Sequence, residues 1–91
     1  MDVRRIFIIL RMYFVYIIRD EKNNFYKGFA EDLEKRLHQH RSGLNKSTSK
    51  SKLWELVYTE SFEKIEEAVK REKYFKSAAG RRFIKFKLNL R

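Results

Sequence analysis

The chain has 91 residues, with 22 Lys and Arg against 12 Asp and Glu, which gives a formal net charge of +10. This length predicts a single domain, since domains commonly contain about 50–250 residues. The absence of Cys excludes disulfides and thiolate metal sites, and it is compatible with the reducing cytoplasm in which we expect the protein. No apolar run approaches the ~20 residues of a membrane-spanning helix, and residues 6–10 are too short for a signal peptide.

The large excess of positive charge favours a polyanionic partner, and nucleic acid is the commonest one. The alternative is a generally basic protein whose Lys residues have no specific partner. Charge alone therefore indicates a nucleic-acid-binding protein without fixing a reaction.

The first half of the chain predicts a hairpin followed by a helix. Residues 13–18 are aromatic and β-branched, as in a strand buried on both faces, and a polar turn leads to a second strand at 25–29. Helical spacing follows at 31–42, with Leu33, Leu37 and His40 on one stripe. Gly43 is a suitable residue to end this helix.

The second half predicts one strand and two helices. After a basic loop at 44–52, residues 53–59 alternate as a strand, with Trp54, Leu56 and Tyr58 on one face. A helix at 63–77 ends in a break at 77–80, and a short basic helix at 81–90 closes the chain. The order is β-β-α-β-α-α, which predicts an α+β fold: a three-stranded antiparallel sheet flanked by helices.

Residues 12–91 form this predicted domain, whereas residues 1–11 fit the order poorly. We treat them as an N-terminal extension. Three interpretations stay open: an extra strand, an oligomerisation segment, or an extension ahead of a start at Met12.

Glu72 is a carboxylate at an apolar position. It follows Ile65 by seven residues and Val69 by three, so helical geometry places all three on one face. A buried charge is costly unless it is paired or binds a metal. On the pattern alone, a salt bridge with Arg36 or a neighbouring Lys is the favoured interpretation.

Four other side chains are expected near one another. Arg36 and His40 are four residues apart on one helix face, where Arg suits phosphate and His can move protons. Strand alternation lets Tyr16 and Tyr26 face that helix, and Gly28 allows a backbone or a substrate to approach. The ordinary interpretation is a solvated Arg–His edge beside two core tyrosines, and a polar site is the alternative.

Taken together, these residues resemble the GIY-YIG nucleases, in particular their small single-domain members. The two motifs that give the family its name correspond to Val15-Tyr16-Ile17 and Tyr26-Lys27-Gly28, with the tyrosines ten residues apart. Each motif alone is weak evidence for the family, but the order and spacing of all the motifs together are specific to it. The other similar segments are 32–37, His40, 42–43, 56–58, 67–73, 76–77 and 80–83.

The resemblance implies an active site for hydrolysis of DNA phosphodiesters. Tyr16 would be the general base or position the attacking water, and Tyr26 would orient the scissile phosphate or assist that base. Arg36 would neutralise charge on the phosphate, and His40 would support proton transfer or contact the phosphate. Glu72 would bind one Mg²⁺ or Mn²⁺, so the resemblance favours a metal ligand over the salt bridge at this position. It implies no small-molecule cofactor.

The resemblance also predicts how DNA would bind. Contacts to the backbone give little sequence specificity, so we expect selection of DNA by shape, such as nicks, flaps or junctions, or reliance on a protein partner or a homodimer. Repair, recombination, restriction and mobile-element roles are all compatible with this. The predicted backbone contacts are Lys27, Lys46, Lys50, Lys52, Arg81, Arg82, Lys85 and Lys87.

Some positions depart from the family pattern. Lys27 replaces an apolar residue, Ala30 removes the expected N-cap of the first helix, and an Asn found in some members is missing near Ile84. The missing Asn and the lack of a separate DNA-reading domain favour the alternative function: a nucleic-acid-binding module that keeps the fold with little or no catalysis. A third interpretation is a protein-interaction domain that uses residues 1–11 as its contact strand.

Overall fold

The described part of the chain folds into a three-stranded antiparallel sheet with helices on both faces. A computed structural model describes residues 12–51 and 53–88, so the predictions for residues 1–11 and Lys52 lie outside the described residues. The α+β fold and the order β-β-α-β-α-α are confirmed, and no helix in the described part is long and apolar enough to cross a membrane. The elements are β1 (Tyr13–Arg19), β2 (Phe25–Ala30), α1 (Leu33–Arg41), a 3₁₀ helix (Lys46–Thr48), β3 (Glu55–Phe62), α2 (Ile65–Phe75) and α3 (Ala78–Lys87).

The strand β1 is the centre of the sheet, whose order is β2-β1-β3. Its residues 15–18 are at most 1% exposed, which confirms the prediction of a strand buried on both faces. On one face, Tyr16 and Ile18 pack with Leu37 of α1. On the other face, Val15 and Ile17 pack against α2 and α3. The sheet therefore separates α1 from the α2–α3 pair.

A β-bulge changes the faces of β3. Ile17 pairs with Tyr58 but Ile18 pairs with Leu56, so Val57 is an extra residue in this strand. Leu56 packs on the α1 face of the sheet, whereas Val57 and Tyr58 both pack on the α2–α3 face. The prediction of Trp54, Leu56 and Tyr58 on one face is therefore wrong at Tyr58. The strand also begins two residues later than predicted.

The helix α1 begins later than predicted and is capped. Asp32 is its N-cap residue, and the side chain of Asp32 accepts a hydrogen bond of 3.0 Å from the backbone N–H of Lys35. The predicted loss of a cap at Ala30 is therefore wrong, because the helix starts beyond that residue. Gly43 follows the helix with φ of +79°, a conformation that glycine adopts without strain.

Arg71 attaches α2 to β3. Its Nε lies 2.8 Å from Oε1 of Glu60, and its Nη2 lies 3.1 Å from Oε2, so the guanidinium binds both carboxylate oxygens. The same guanidinium lies 4.7–5.0 Å from the ring centres of Tyr74, Phe75 and Phe83. These contacts hold α2 in the orientation that presents the next residue, Glu72, at the edge of the sheet.

The helices α2 and α3 meet at Gly80. Ser77 caps α3 and accepts a hydrogen bond of 3.1 Å from the N–H of Gly80, so Gly80 lies in the first turn of α3 rather than in the predicted break. A Cβ atom at this position would overlap the carbonyl oxygen of Tyr74 and lie 2.6 Å from Cα of Phe75. Glycine is required here because two backbones approach closely.

We therefore expect Gly80→Ala to destabilise the protein, although Ala is the better helix former. Overpacking against backbone atoms typically costs about 1–3 kcal/mol. Urea denaturation should show this loss, whereas Ala79→Ser, an exposed change in the same turn, should stay within about 0.5 kcal/mol of wild type. A Gly80→Ala protein as stable as wild type would contradict the close approach.

Candidate active site

An open cleft of about 530 Å³ lies along the edge strand β2, between α1 and α2. Tyr26 and Gly28 of β2 line it, together with Arg36 of α1 and with Ile65 and Glu72 of α2. Three of the predicted site residues, Tyr26, Arg36 and Glu72, therefore share one cleft although they come from three elements.

The other two predicted site residues form a buried pair behind the floor of this cleft. Tyr16 and His40 are both 0% exposed, and the hydroxyl of Tyr16 lies 2.8 Å from Nε2 of His40. The ring centre of Tyr26 is 4.7 Å from that of His40 and 6.3 Å from that of Tyr16. The prediction that Tyr16 and Tyr26 face the helix that carries Arg36 is confirmed.

Thr48, which no sequence pattern indicated, supports His40 from the opposite side. Its Oγ1 lies 2.8 Å from Nδ1 of His40 and donates a hydrogen bond to the carbonyl oxygen of Asn45. With its proton committed to Asn45, Thr48 accepts from Nδ1–H. Nε2 of His40 then carries no proton and accepts from the hydroxyl of Tyr16. We assign this tautomer from the hydrogen-bond network.

The burial of the pair favours its neutral form. Burial is the main cause that raises the pKa of Tyr16, followed by Tyr26, while the Arg36 guanidinium acts in the opposite direction. Burial also lowers the pKa of His40 below its usual 6.5, and the charge of Arg36 adds to this effect. At neutral pH the pair therefore consists of a phenol that donates and an imidazole that accepts.

Gly28 provides the space for the hydroxyl of Tyr16. A Cβ atom at Gly28 would lie 2.6 Å from that oxygen and 2.8 Å from the ring carbon that bears it. We predicted that a backbone or a substrate approaches this glycine, and the close neighbour in the structure is the Tyr16 side chain. Since Gly28 also lines the cleft, the Tyr16 hydroxyl lies next to a cleft residue.

Glu72 lies in the cleft with its side chain 19% exposed, and Lys76 is its partner, with Nζ 2.8 Å from Oε1. The interpretation from the pattern alone, a salt bridge with a neighbouring Lys, thus describes this structure. No three His, Cys, Asp or Glu side chains of the described residues form a metal-binding group. One carboxylate still suits Mg²⁺, which commonly binds through one or two carboxylates and completes its shell with waters and phosphates. The metal assignment stays a prediction.

The predicted backbone contacts fall into two groups. Lys27 is half-buried on β2, and the others in the described residues are exposed. The exposed ones are Lys46, Lys50, Arg81, Arg82, Lys85 and Lys87. Their exposure leaves them free to reach a polyanion.

Comparison with known proteins identifies the family. Residues 12–89 match the GIY-YIG catalytic domain. The chain is 34% identical to a UPF0213 protein of Staphylococcus saprophyticus over 74 residues, which cover 80% of this chain and 90% of that protein. It is 37% identical to the UPF0213 protein YazA of Bacillus subtilis over 65 residues, covering 70% and 66% of the two chains.

A UPF0213 protein of Limosilactobacillus reuteri is 31% identical over 80 residues, which cover 85% of this chain and 83% of that protein. No solved structure is significantly similar to the chain. The match over residues 12–89 includes the buried Tyr16–His40 pair and all the cleft residues named above. The chain therefore belongs to the GIY-YIG nuclease family.

Proposed function

We propose that this protein is an endonuclease that hydrolyses DNA phosphodiester bonds with one divalent metal ion, Mg²⁺ or Mn²⁺, and selects DNA by its shape. Membership of a nuclease family supports the reaction class. The observation that carries the proposal is the Tyr16–His40 pair beneath a cleft that Arg36 and Glu72 line.

The buried pair provides a route for the proton of the attacking water. As the water oxygen attacks phosphorus, its proton must pass to a base. Tyr16 is a poor base alone, because its raised pKa makes the tyrosinate scarce. If Tyr16 passes its own proton to Nε2 of His40 while it takes the proton of the water, the phenol stays neutral throughout. His40 becomes the imidazolium, and Thr48 still accepts from its Nδ1–H.

Arg36 and Tyr26 bind the phosphate in this mechanism. Negative charge builds up on the phosphate oxygens as the water attacks, and the guanidinium of Arg36 presents donors that can bind two of them. Tyr26 lines the same cleft, where its hydroxyl can donate to a phosphate oxygen and fix the direction of attack. Both side chains act on the phosphate while the buried pair acts on the water.

Glu72 would hold the metal ion, which supplies a Lewis acid for the leaving oxygen. The ammonium of Lys76 contacts Oε1, so a metal ion that uses this oxygen would compete with Lys76 for Glu72.

The dependence on His40 predicts the pH profile of cleavage. Proton transfer needs neutral His40, whose pKa is lowered from 6.5. The rate should therefore be level above about pH 6.5 and should fall only at lower pH, by about tenfold per unit once His40 is mostly protonated. Single-turnover rates between roughly pH 5 and 8 measure this.

Two variants test whether His40 causes the fall in rate at low pH. His38→Gln should show the same fall as wild type, since His38 is an exposed residue of the same helix. His40→Gln should cleave slowly, and its rate should no longer fall at low pH. If the rate of His40→Gln fell as in wild type, another group would control the pH dependence.

Cleavage of a panel of labelled DNAs tests the proposed function. Single-stranded, duplex, nicked, flap and branched DNAs are each incubated with Mg²⁺, Mn²⁺ or EDTA. We expect cleavage with either metal, none in EDTA, and rates that differ more between shapes than between sequences of one shape. Equal rates for all shapes would refute shape selection. Salt-sensitive binding without any cleavage would refute the nuclease and favour the binding module.

A further inference from the structure

Three cationic side chains, one from β2, one from the C-terminal end of α2 and one from α3, lie close enough for their charges to interact. Arg81 of α3 donates a hydrogen bond of 3.0 Å from Nη1 to the carbonyl oxygen of Lys76, so its guanidinium lies at the end of α2. Lys76 extends from that end to Glu72 in the cleft. Lys27 pairs with Ile17 across β1 and β2, and this places its side chain on the α2–α3 face of the sheet. We call Lys27, Lys76 and Arg81 the basic cluster.

The charges of the basic cluster are not balanced. Within the described residues its one ion pair joins Lys76 to Glu72, so the cluster has three cations and one carboxylate partner. Lys27 is half-buried, and its pKa is lowered by burial and then by the charges of Arg81 and Lys76. Like charges held this close repel one another, and an anion that enters between them is attracted by all three.

We propose, on the basis of the proposed function, that the basic cluster binds the DNA phosphate next to the scissile one. Lys76 leaves Glu72 for this phosphate when DNA binds, and Glu72 is then free for a metal ion. Binding of DNA and binding of metal at Glu72 thus support each other.

The chemistry of the cluster fits a phosphodiester. Arg81 offers two parallel donors, and the two Lys residues add compact charges that tolerate a range of directions. The cluster also lies beside the cleft, because Lys76 contacts the cleft residue Glu72 and Lys27 precedes the cleft residue Gly28. A strand whose scissile phosphate is at Arg36 therefore passes the cluster. This assigns a function to Lys27, which stands where an apolar residue was expected.

DNA binding measured in EDTA tests the cluster without cleavage or metal. Fluorescence anisotropy of a labelled duplex, at several salt concentrations, would compare wild type with Lys27→Met, Lys76→Gln and Arg81→Gln. Met keeps the hydrocarbon part of the half-buried Lys27. Lys70→Gln, an exposed charge on the side of α2 away from the cleft, is the matched control.

We expect each cluster variant to bind DNA several-fold more weakly than Lys70→Gln. The slope of log affinity against log salt concentration should also be shallower, by up to about one for each variant. Because the cations share one phosphate, the loss in Lys27→Met/Arg81→Gln should be smaller than the product of the two single losses. The shared phosphate site would be overturned if the loss of DNA affinity in the double variant equalled the product of the single losses. It would also be overturned if the single losses were no larger than the loss in Lys70→Gln.

Binding of Mn²⁺ without DNA tests the exchange at Glu72. Lys76→Gln removes the ammonium that occupies Oε1, so it should bind Mn²⁺ several-fold more tightly than wild type or Lys70→Gln, as measured from the electron paramagnetic resonance signal of free Mn²⁺. Equal affinities would overturn the exchange. Neither measurement depends on cleavage, so a protein that passes both but cuts no DNA would refute the proposed nuclease and leave the phosphate site standing.

Discussion

Tyr16→Phe should reduce single-turnover cleavage by about 10²–10⁴-fold, because it removes the hydroxyl that contacts His40 and that connects His40 to the attacking water in the proposed mechanism. The phenyl ring keeps the packing of Tyr16 against Ile18 and Leu37, so the protein should remain folded. Nε2 of His40 is left as an unpaired buried acceptor, which should cost about 1–3 kcal/mol of stability. Rates on the preferred DNA of the panel measure the first effect, and urea denaturation followed by far-ultraviolet circular dichroism measures the second.

The control for this substitution is Tyr13→Phe. Tyr13 lies on the same strand but packs on the α2–α3 face of the sheet, away from His40. It should cleave DNA at close to the wild-type rate. A Tyr16→Phe protein that also stays within tenfold of wild type would show that the proton leaves the water by another route.

Glu72→Gln should abolish metal-dependent cleavage while DNA binding in EDTA is retained. The change keeps the size of the side chain and removes the charge that a metal ion and Lys76 both need. The expected loss is on the order of 10²-fold or more, because charge stabilisation by a metal ion is worth several kcal/mol. Single-turnover rates across Mg²⁺ and Mn²⁺ concentrations measure it.

The matched variant is Glu67→Gln, which removes an exposed carboxylate from the same helix. It should leave the rate and its metal dependence unchanged. If Glu72→Gln cleaved DNA in Mg²⁺ as fast as Glu67→Gln, the metal would have to bind elsewhere, and Glu72 would be only the partner of Lys76.

The pattern of apolar residues was sufficient to predict the layers of the fold. Residues 15–18 are so uniformly apolar that only a central strand suits them, and the structure buries them all. The stripe of α1 included His40, but the favoured interpretation of a solvated Arg–His edge is wrong at this residue, which is 0% exposed. Burial follows periodicity when an element is regular, so these predictions needed no knowledge of its partners.

Other features depend on contacts between distant segments. The bulge at Val57 arises from the pairing of β3 with β1. The extra residue is as typical of a strand as its neighbours, so the composition of β3 does not indicate a bulge. The position of Gly80 follows from the approach of α2, which no local pattern records. The same holds for the basic cluster, since Lys27 and Arg81 are more than fifty residues apart in the sequence.

The sequence brought together the residues of the candidate site but did not show how they are arranged. Spacing placed Arg36 beside His40 and Glu72 on an apolar stripe. Strand alternation let Tyr16 and Tyr26 face the same helix, and the family resemblance gave these residues their proposed roles. Neither source indicated that Tyr16 lies beneath the floor of the cleft, or that Thr48 fixes the tautomer of His40. These details decide which group gives up a proton, and they come only from the hydrogen-bond network.

Cleavage in water enriched in heavy oxygen examines the proposed reaction itself. Wild-type protein, Mg²⁺ and the preferred DNA of the panel are combined under single-turnover conditions, and the products are weighed by mass spectrometry. We expect one heavy oxygen on the new terminal phosphate and no DNA attached to protein, because in the proposed mechanism Tyr16 relays a proton and water is the nucleophile. DNA linked to a tyrosine, or no Mg²⁺-dependent cleavage, would contradict the mechanism.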